Sequence, residues 1–345
     1  MIRNHGYPFQ ATLFPLLFAM IFFFLSCTDT SNICSTSQDG VCDELATCAL
    51  GTDSIDCDAV CKNQPWSTEI AGVCAHDYNG MEPDSQLEST TGTRGSGGKT
   101  GTFDDVVRVR GARTSDLVDR HYRTYVPRRY NPERATPLLF ALGGFSVDMY
   151  WLAEFTELNR LADREDIIIV YGHPEWRDFG NFDVFSWYSY KEAYEGDWID
   201  NPDIAYMEAI YQDLSQLYNI DSSRVYVSGH SRGGALSMIA AFERPDLFAG
   251  FCSQAGFVRA NDYNERIEEL ASSVRPAVYL VHGDADPDVS VRESDAVSDI
   301  LQDAEWNYND EWFYQRIPDA THEWQTQYNQ HMWDFLYQNP NEGVE

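Results

Sequence analysis

Lysine is nearly missing from this chain: three occur in 345 residues, and lysine with arginine total 24 against 55 aspartates and glutamates, for a net charge of −31. A nucleic-acid partner requires a basic face that neutralises phosphates, so that class of function is excluded. The acidic excess reads as a solvated surface, suited to salty surroundings, rather than as a binding patch. No repeat of solenoid period is visible. Two motifs that would carry other chemistry are incomplete. GTRGSGGKT (residues 92–100) has Thr93 where a phosphate-binding loop needs its first glycine, and no strand precedes it. HEWQT (residues 322–326) has Thr326 where a zinc-protease helix needs its second histidine.

What is present begins with a leader. Arg3 precedes the apolar run ATLFPLLFAMIFFFL (residues 11–25), so residues 1–26 read as a secretory signal. Cys27 follows directly and resembles the lipidated cysteine of bacterial lipoprotein signals, although Phe24 stands where that signal usually has leucine. An ordinary signal peptide and an uncleaved anchor are the alternatives. All three readings export the chain, to an outer-membrane or cell-surface lipoprotein or a secreted form, and the lipid anchor is the expected membrane contact. No oligomeric state is specified.

Six cysteines, Cys34, Cys42, Cys48, Cys57, Cys61 and Cys74, crowd into about forty residues and define a small disulfide module over residues 34–76, for which fifteen pairings are open. Within it, DGVCDELATCALGTDSIDCDAVC weakly resembles small calcium-binding disulfide repeats of the Notch type. That resemblance implies Asp39, Asp43, Glu44, Asp53 and Asp56 as candidate oxygen ligands of a structural calcium. No other metal or organic cofactor is called for. Cys252, in FAGFCSQAG, reads as a small core residue. Residues 77–101, rich in Gly, Ser and Thr, read as a flexible linker.

Residues 102–340 alternate between strand and helix patterns. TFDDVVRVRG and RHYRTYVP open as strands, PLLFALGG follows, and a helical stretch continues to about Arg164 before the strand IIIVYG. IAYMEAIYQDLSQLY is a helix, RVYVS, FAGFCSQAG, RPAVYLVHG and EWFYQRIP are strands, and WQTQYNQHMWDFLYQ is a final helix. Apolar strands separated by helices imply an α/β fold: a mainly parallel sheet covered on both faces, with ligands at the carboxyl ends of its strands.

RVYVSGHSRGGALSM (residues 224–238) reads strand, tight turn, helix around G-x-S-x-G, the setting of a nucleophile elbow with Ser231 at its tip. A serine hydroxyl needs a base to take its proton and a carboxylate to orient that base. HGDADPDVS, beyond the strand RPAVYLVHG, offers Asp284, Asp286 and Asp288, with Asp286 at H-G-x-x-D spacing. His322, in a loop before the last helix, is the candidate base, and His331, inside that helix, its rival. Oxyanion donors are expected at the backbone N–H of Arg232, after the nucleophile, and of Phe145 in ALGGFS. GHPEWRDFGNFDVFSWYSYKEAYEGDW (residues 172–198) is dense in aromatics, and Trp187 and Tyr188 are candidates either for lining a flat substrate's pocket or for packing.

RTYVPRRY, PLLFALGG, the long segment from DNPDIAYMEAIY through VSGHSRGG to DLFAG, and HGDADPDV together resemble a family of secreted esterases. It includes poly(3-hydroxybutyrate) depolymerases and feruloyl or acetylxylan esterases of the α/β-hydrolase fold. The resemblance spans about Arg120 to His322 and implies Ser231 as nucleophile, Asp286 as acid and His322 as base. Two positions depart from the family pattern: Gly143 stands where L-H-G is usual, and Arg232 where asparagine is frequent. The implied function is an exported serine carboxylesterase acting on a polyester or on feruloyl or acetyl esters of plant polysaccharide. A serine peptidase of the same fold and a catalytically silent binding module are the alternatives.

Overall fold

The alternation of apolar residues along PLLFAL divides two cores. In this computed structural model, β3 (Thr136–Leu142) is buried at every position, and so are β4 (Ile168–Gly172), β8 (Gly250–Gln254) and β9 (Ala277–Gly283). Leu138, Phe140 and Leu142 join one apolar cluster, whereas Leu139 and Ala141 join another. Strand side chains point alternately to opposite faces, so a strand apolar throughout must be covered on both.

Residues 92–341 are described, apart from 96, 112–115, 179–182, 190–196, 258–265 and 271–273. The leader, Cys27, the module with Cys34, Cys42, Cys48, Cys57, Cys61 and Cys74, and its calcium candidates lie outside the described residues. Eight strands form one sheet in the order β1-β2-β4-β3-β7-β8-β9-β10. From β4 onward the pairings are parallel, through β7 (Ile220–His230) to β10 (Trp312–Ile317). At the other edge β1 (Gly101–Arg110) and β2 (Leu117–Val126) run antiparallel.

On one face lie α3 (Pro202–Leu217), α4 (Arg232–Glu243) and α5 (Arg292–Asp303), contributing Met207, Leu236 and Val297 to the core. On the other lie α1 (Met149–Phe155), α2 (Leu158–Glu165) and α6 (Asn329–Tyr337), contributing Leu152, Leu161 and Trp333. The expected α/β-hydrolase sheet, mainly parallel and covered on both faces, is the one found. Cys252 is fully buried, and burial pushes its thiol up to about 12, as fits a core residue. Among the described residues no helix is long and apolar enough to cross a membrane.

Three local features differ from expectation. The helical stretch up to Arg164 is two helices, because Asn329 Nδ2 donates to the Thr156 carbonyl at 2.7 Å and Glu157 turns left-handed at φ 57°. The aromatic segment contains a small hairpin, β5 (Glu175–Asp178) with β6 (Asp183–Ser186). The end of the linker, from Gly92 onward, is fastened to the domain. Thr93 N donates to the Ile220 carbonyl at 2.9 Å, Gly97 N to Leu217 at 2.8 Å, and Tyr218 Oη to the Lys99 carbonyl at 2.8 Å. A Cβ on Gly95 would sit 2.4 Å from the Tyr218 backbone, so this glycine serves close approach. Composition alone does not separate that role from a flexible tether.

Candidate active site

Strand β7 delivers Ser231 into a backbone conformation of φ 55° and ψ −117°, outside the regions that non-glycine residues favour. The strain is held in place by its surroundings: Ser231 N donates to the Gln254 carbonyl of β8 at 2.9 Å, and α4 starts at the next residue. A Cβ on Gly229 would meet the Gly233 carbonyl oxygen at 2.1 Å, and one on Gly233 the Leu142 carbonyl oxygen at 2.2 Å. Both glycines of G-x-S-x-G are therefore demanded by backbone passing against backbone.

The two neighbouring strand ends are laced together. Beyond the parallel pairing of Gly283 with Ile317, Asp284 N donates to the Ile317 carbonyl at 2.9 Å and Ala285 N to that of Ala320 at 3.1 Å. This brings the loop after β9 against the loop after β10. His322 Nδ1 lies 2.6 Å from Asp286 Oδ2. Asp286 Oδ1 accepts from the N–H groups of Asp288 and Val289, each at 2.8 Å. Burial alone would raise the Asp286 pKa, but the Val289, His322 and Asp288 donors outweigh it and hold the carboxyl below its usual range. An ionised carboxylate only accepts, so His322 carries its proton on Nδ1 and leaves Nε2 as an acceptor.

Of the other sequence candidates, Asp284 caps the loop by accepting from Asp319 N at 2.8 Å, and Asp288 is exposed at the cavity wall. His331, the rival base, is bonded to Tyr279 Oη at 2.6 Å within the second core and is not among the residues lining the cavity.

Ser231 and His322 line one cavity of about 680 Å³ together with Gly144, Phe145, Arg232 and Phe257. A Cβ on Gly144 would lie 3.2 Å from Ser231 Cβ, so the loop after β3 runs directly against the nucleophile. Asp148, accepting from Tyr150 N at 2.9 Å and Trp151 N at 2.8 Å, caps α1 and closes that loop. Phe145 and Arg232 line the same cavity as the serine, from the β3 loop and from the first position of α4. Their side chains meet too: the Arg232 guanidinium lies 4.9 Å from the Phe145 ring centre and donates to Ser186 Oγ at 3.1 Å.

Trp187 and Tyr188 are not where a substrate would touch them, which corrects the pocket reading. Trp187 is fully buried, and its indole N–H donates to the Gly143 carbonyl at 2.8 Å. Tyr188 is 6% exposed, and its N–H donates to Asp203 Oδ2 at 2.6 Å, inside a buried ion pair of Asp203 with Arg120. Both side chains lie inside the domain: the Trp187 indole braces the β3 loop, and the Tyr188 backbone ties the segment to the start of α3.

Two histidines unassigned by sequence reasoning adjoin the site. His230, next to the serine, is buried with its ring 4.6 Å from that of His322, and burial followed by the His322 charge pushes it down to about 3. His282, the histidine of H-G-x-x-D, is fully buried with Nε2 3.2 Å from Asp286 Oδ2. Their adjacency to motif residues was the available signal. Glu293 and Val289, also at the cavity wall, carried none.

A family model described as "Putative esterase" matches residues 118–336. The chain is 26% identical over 186 residues to the bifunctional acetylxylan esterase/xylanase XynS20E of Neocallimastix patriciarum, covering 54% of this chain and 23% of that protein. It is 33% identical over 89 residues to the putative esterase NocK of Nocardia uniformis subsp. tsuyamanensis, covering 25% of this chain and 23% of that protein. The matches thus span about a quarter of either relative's length. Among solved structures, a ferulic acid esterase superposes with a TM-score of 0.54 at 13% identity, covering 70% of this chain and 98% of that one. An S-formylglutathione hydrolase from Agrobacterium tumefaciens gives 0.52 at 14% identity, covering 70% and 97%. At these identities the structural likeness establishes the fold.

Proposed function

The chain belongs to the esterase family whose model spans its residues 118–336, and from that premise we propose that it is an exported serine carboxylesterase working through an acyl-enzyme. One observation carries the reading: a serine in a strained elbow shares a cavity with a histidine whose far nitrogen is bonded to a buried, ionised aspartate. Ser231 Oγ attacks the ester carbonyl as His322 Nε2 takes its proton, and Asp286 stabilises the imidazolium. The oxyanion is met by the N–H groups of Phe145 and Arg232. His322 then protonates the departing alcohol, and water cleaves the acyl-enzyme by the same steps.

The substrate class is an acyl ester of a carbohydrate polymer, feruloyl or acetyl, or a polyester. The acetylxylan esterase relative and the fold shared with a ferulic acid esterase favour the first. Export rests on the leader of residues 1–26 and on Cys27.

The test is hydrolysis of p-nitrophenyl acetate, methyl ferulate and a hydroxybutyrate oligomer by the full chain and by Ser231→Ala. Activity that falls on the order of 10⁴- to 10⁶-fold in the variant supports the nucleophile, and the preferred ester names the substrate class. Equal rates from both forms would overturn the assignment.

A further inference from the structure

Resting on the catalytic roles given above for Ser231, His322 and Asp286, we infer that His282 is a positioning residue of the reaction: its Nε2–H, held by Ser294, steers Asp286 and the Val289 segment and so sets how strongly His322 is oriented.

The tautomer of His282 follows from its neighbours. Nε2 bonds to the Val289 carbonyl at 3.0 Å and lies 3.2 Å from Asp286 Oδ2, two groups that only accept, so Nε2 carries the proton. Nδ1 is then an acceptor, and Ser294 Oγ, 2.7 Å away on α5, donates to it. With His282 fully buried and Ser294 at 3% exposure, both ring nitrogens are satisfied inside the protein. Burial also lowers the His282 pKa and keeps the ring neutral.

The consequence lies at Asp286. Its Oδ2 faces two N–H groups, from His322 at 2.6 Å and His282 at 3.2 Å, while its Oδ1 takes the N–H groups of Asp288 and Val289. Val289 is clamped at both ends, by Asp286 through its N–H and by His282 through its carbonyl, and it lines the cavity. The carboxylate is therefore surrounded by donors and shares its charge with a second imidazole. Without that N–H, Asp286 would pull harder on a protonated His322 and could rotate. Both effects act on the chemical step, where His322 gains and loses its proton. Among the described residues, Asp286 and Asp288 from the loop after β9 lie beside His322, His230 from the end of β7 packs its ring against it, His282 from the end of β9 stands behind Asp286, and Glu293 from α5 and Arg232 from α4 share the cavity wall.

Two substitutions of similar volume separate positioning from packing. His282→Gln retains an N–H near the Nε2 position, whereas His282→Met fills the space without a donor. Expected for His282→Met is a kcat lower by about tenfold at unchanged KM. The acid limb of its kcat/KM profile should move upward by roughly half a pH unit or more. His282→Gln should return kcat to within about threefold of the parent, because the donor is restored. Equal behaviour of the two variants, or an acid limb that stays in place in His282→Met, would overturn the inference. Nitrogen-15 spectra of the unmodified chain add an arm that needs no variant to fold. A neutral Nε2–H tautomer of His282 at neutral pH supports the assignment, and an Nδ1–H tautomer or an imidazolium there overturns it. Activity that survives Ser231→Ala would instead remove the underlying catalytic reading while leaving the His282 spectrum as described.

Discussion

Replacing Trp187 by phenylalanine keeps most of a fully buried ring but deletes the N–H that donates to the Gly143 carbonyl at 2.8 Å. A buried carbonyl left without its partner costs about 1–3 kcal/mol. The smaller ring adds a cavity of about 1–2 kcal/mol, since the indole packs against Gly172 and neither side can collapse fully. Together this is about 2–5 kcal/mol, which in a domain of this size lowers Tm by about 4–20 °C. The kinetic consequence is specific, because Gly143 opens the loop that presents Gly144 and Phe145 to Ser231. On the role proposed above for the Phe145 N–H as an oxyanion donor, loosening it acts on the transition state more than on the bound ester, so kcat should fall, by about tenfold, with KM nearly unchanged. Differential scanning fluorimetry and steady-state kinetics on p-nitrophenyl acetate and methyl ferulate read both effects. An unaltered Tm and kcat with KM raised for the aromatic ester alone would refute the reasoning and return Trp187 to the substrate pocket.

Asp286→Asn preserves shape but removes the ionised acceptor facing His322 Nδ1, and esterase turnover at neutral pH should fall about 10⁴-fold by initial-rate assay. The folded Asp286 pKa is depressed, so its contribution to stability is present above the unfolded carboxylate pKa of about 3.9 and is lost as pH falls through the lower folded value. The gap in Tm between the parent chain and Asp286→Asn should therefore be widest above about pH 5 and close toward pH 2; a gap constant with pH would contradict the assignment. Gly95→Ala would drive a methyl group to 2.4 Å from the Tyr218 backbone, so the Gly92–Lys99 strap should be cut faster in limited proteolysis, with ester turnover at 25 °C unaffected.

Periodicity and turn chemistry are local, and they located every strand of the main sheet and the strand–turn–helix elbow at Ser231. The G-x-S-x-G spacing was legible because its glycines answer a steric demand met within five residues. The break between α1 and α2 was not, since it depends on Asn329 donating to a carbonyl 173 positions away. The H-G-x-x-D spacing singled out Asp286 in the sequence; what it could not show is that Asp286 faces His322 across two strand-end loops while Asp284 caps its own loop on Asp319.

Composition and pattern by themselves pointed to an α/β chain with a serine at a strand–turn–helix elbow, and the acidic excess set the expectation that nucleic acid is not a partner. Tertiary structure decided that Trp187 braces the β3 loop from inside, that the glycine-rich stretch before β1 is a strap, and that His282 stands beside Asp286. The physical reason is the same in each case. A residue's type limits which bonds it can make, but whether it is buried and which distant group it meets depend on how parallel strands align their carboxyl ends.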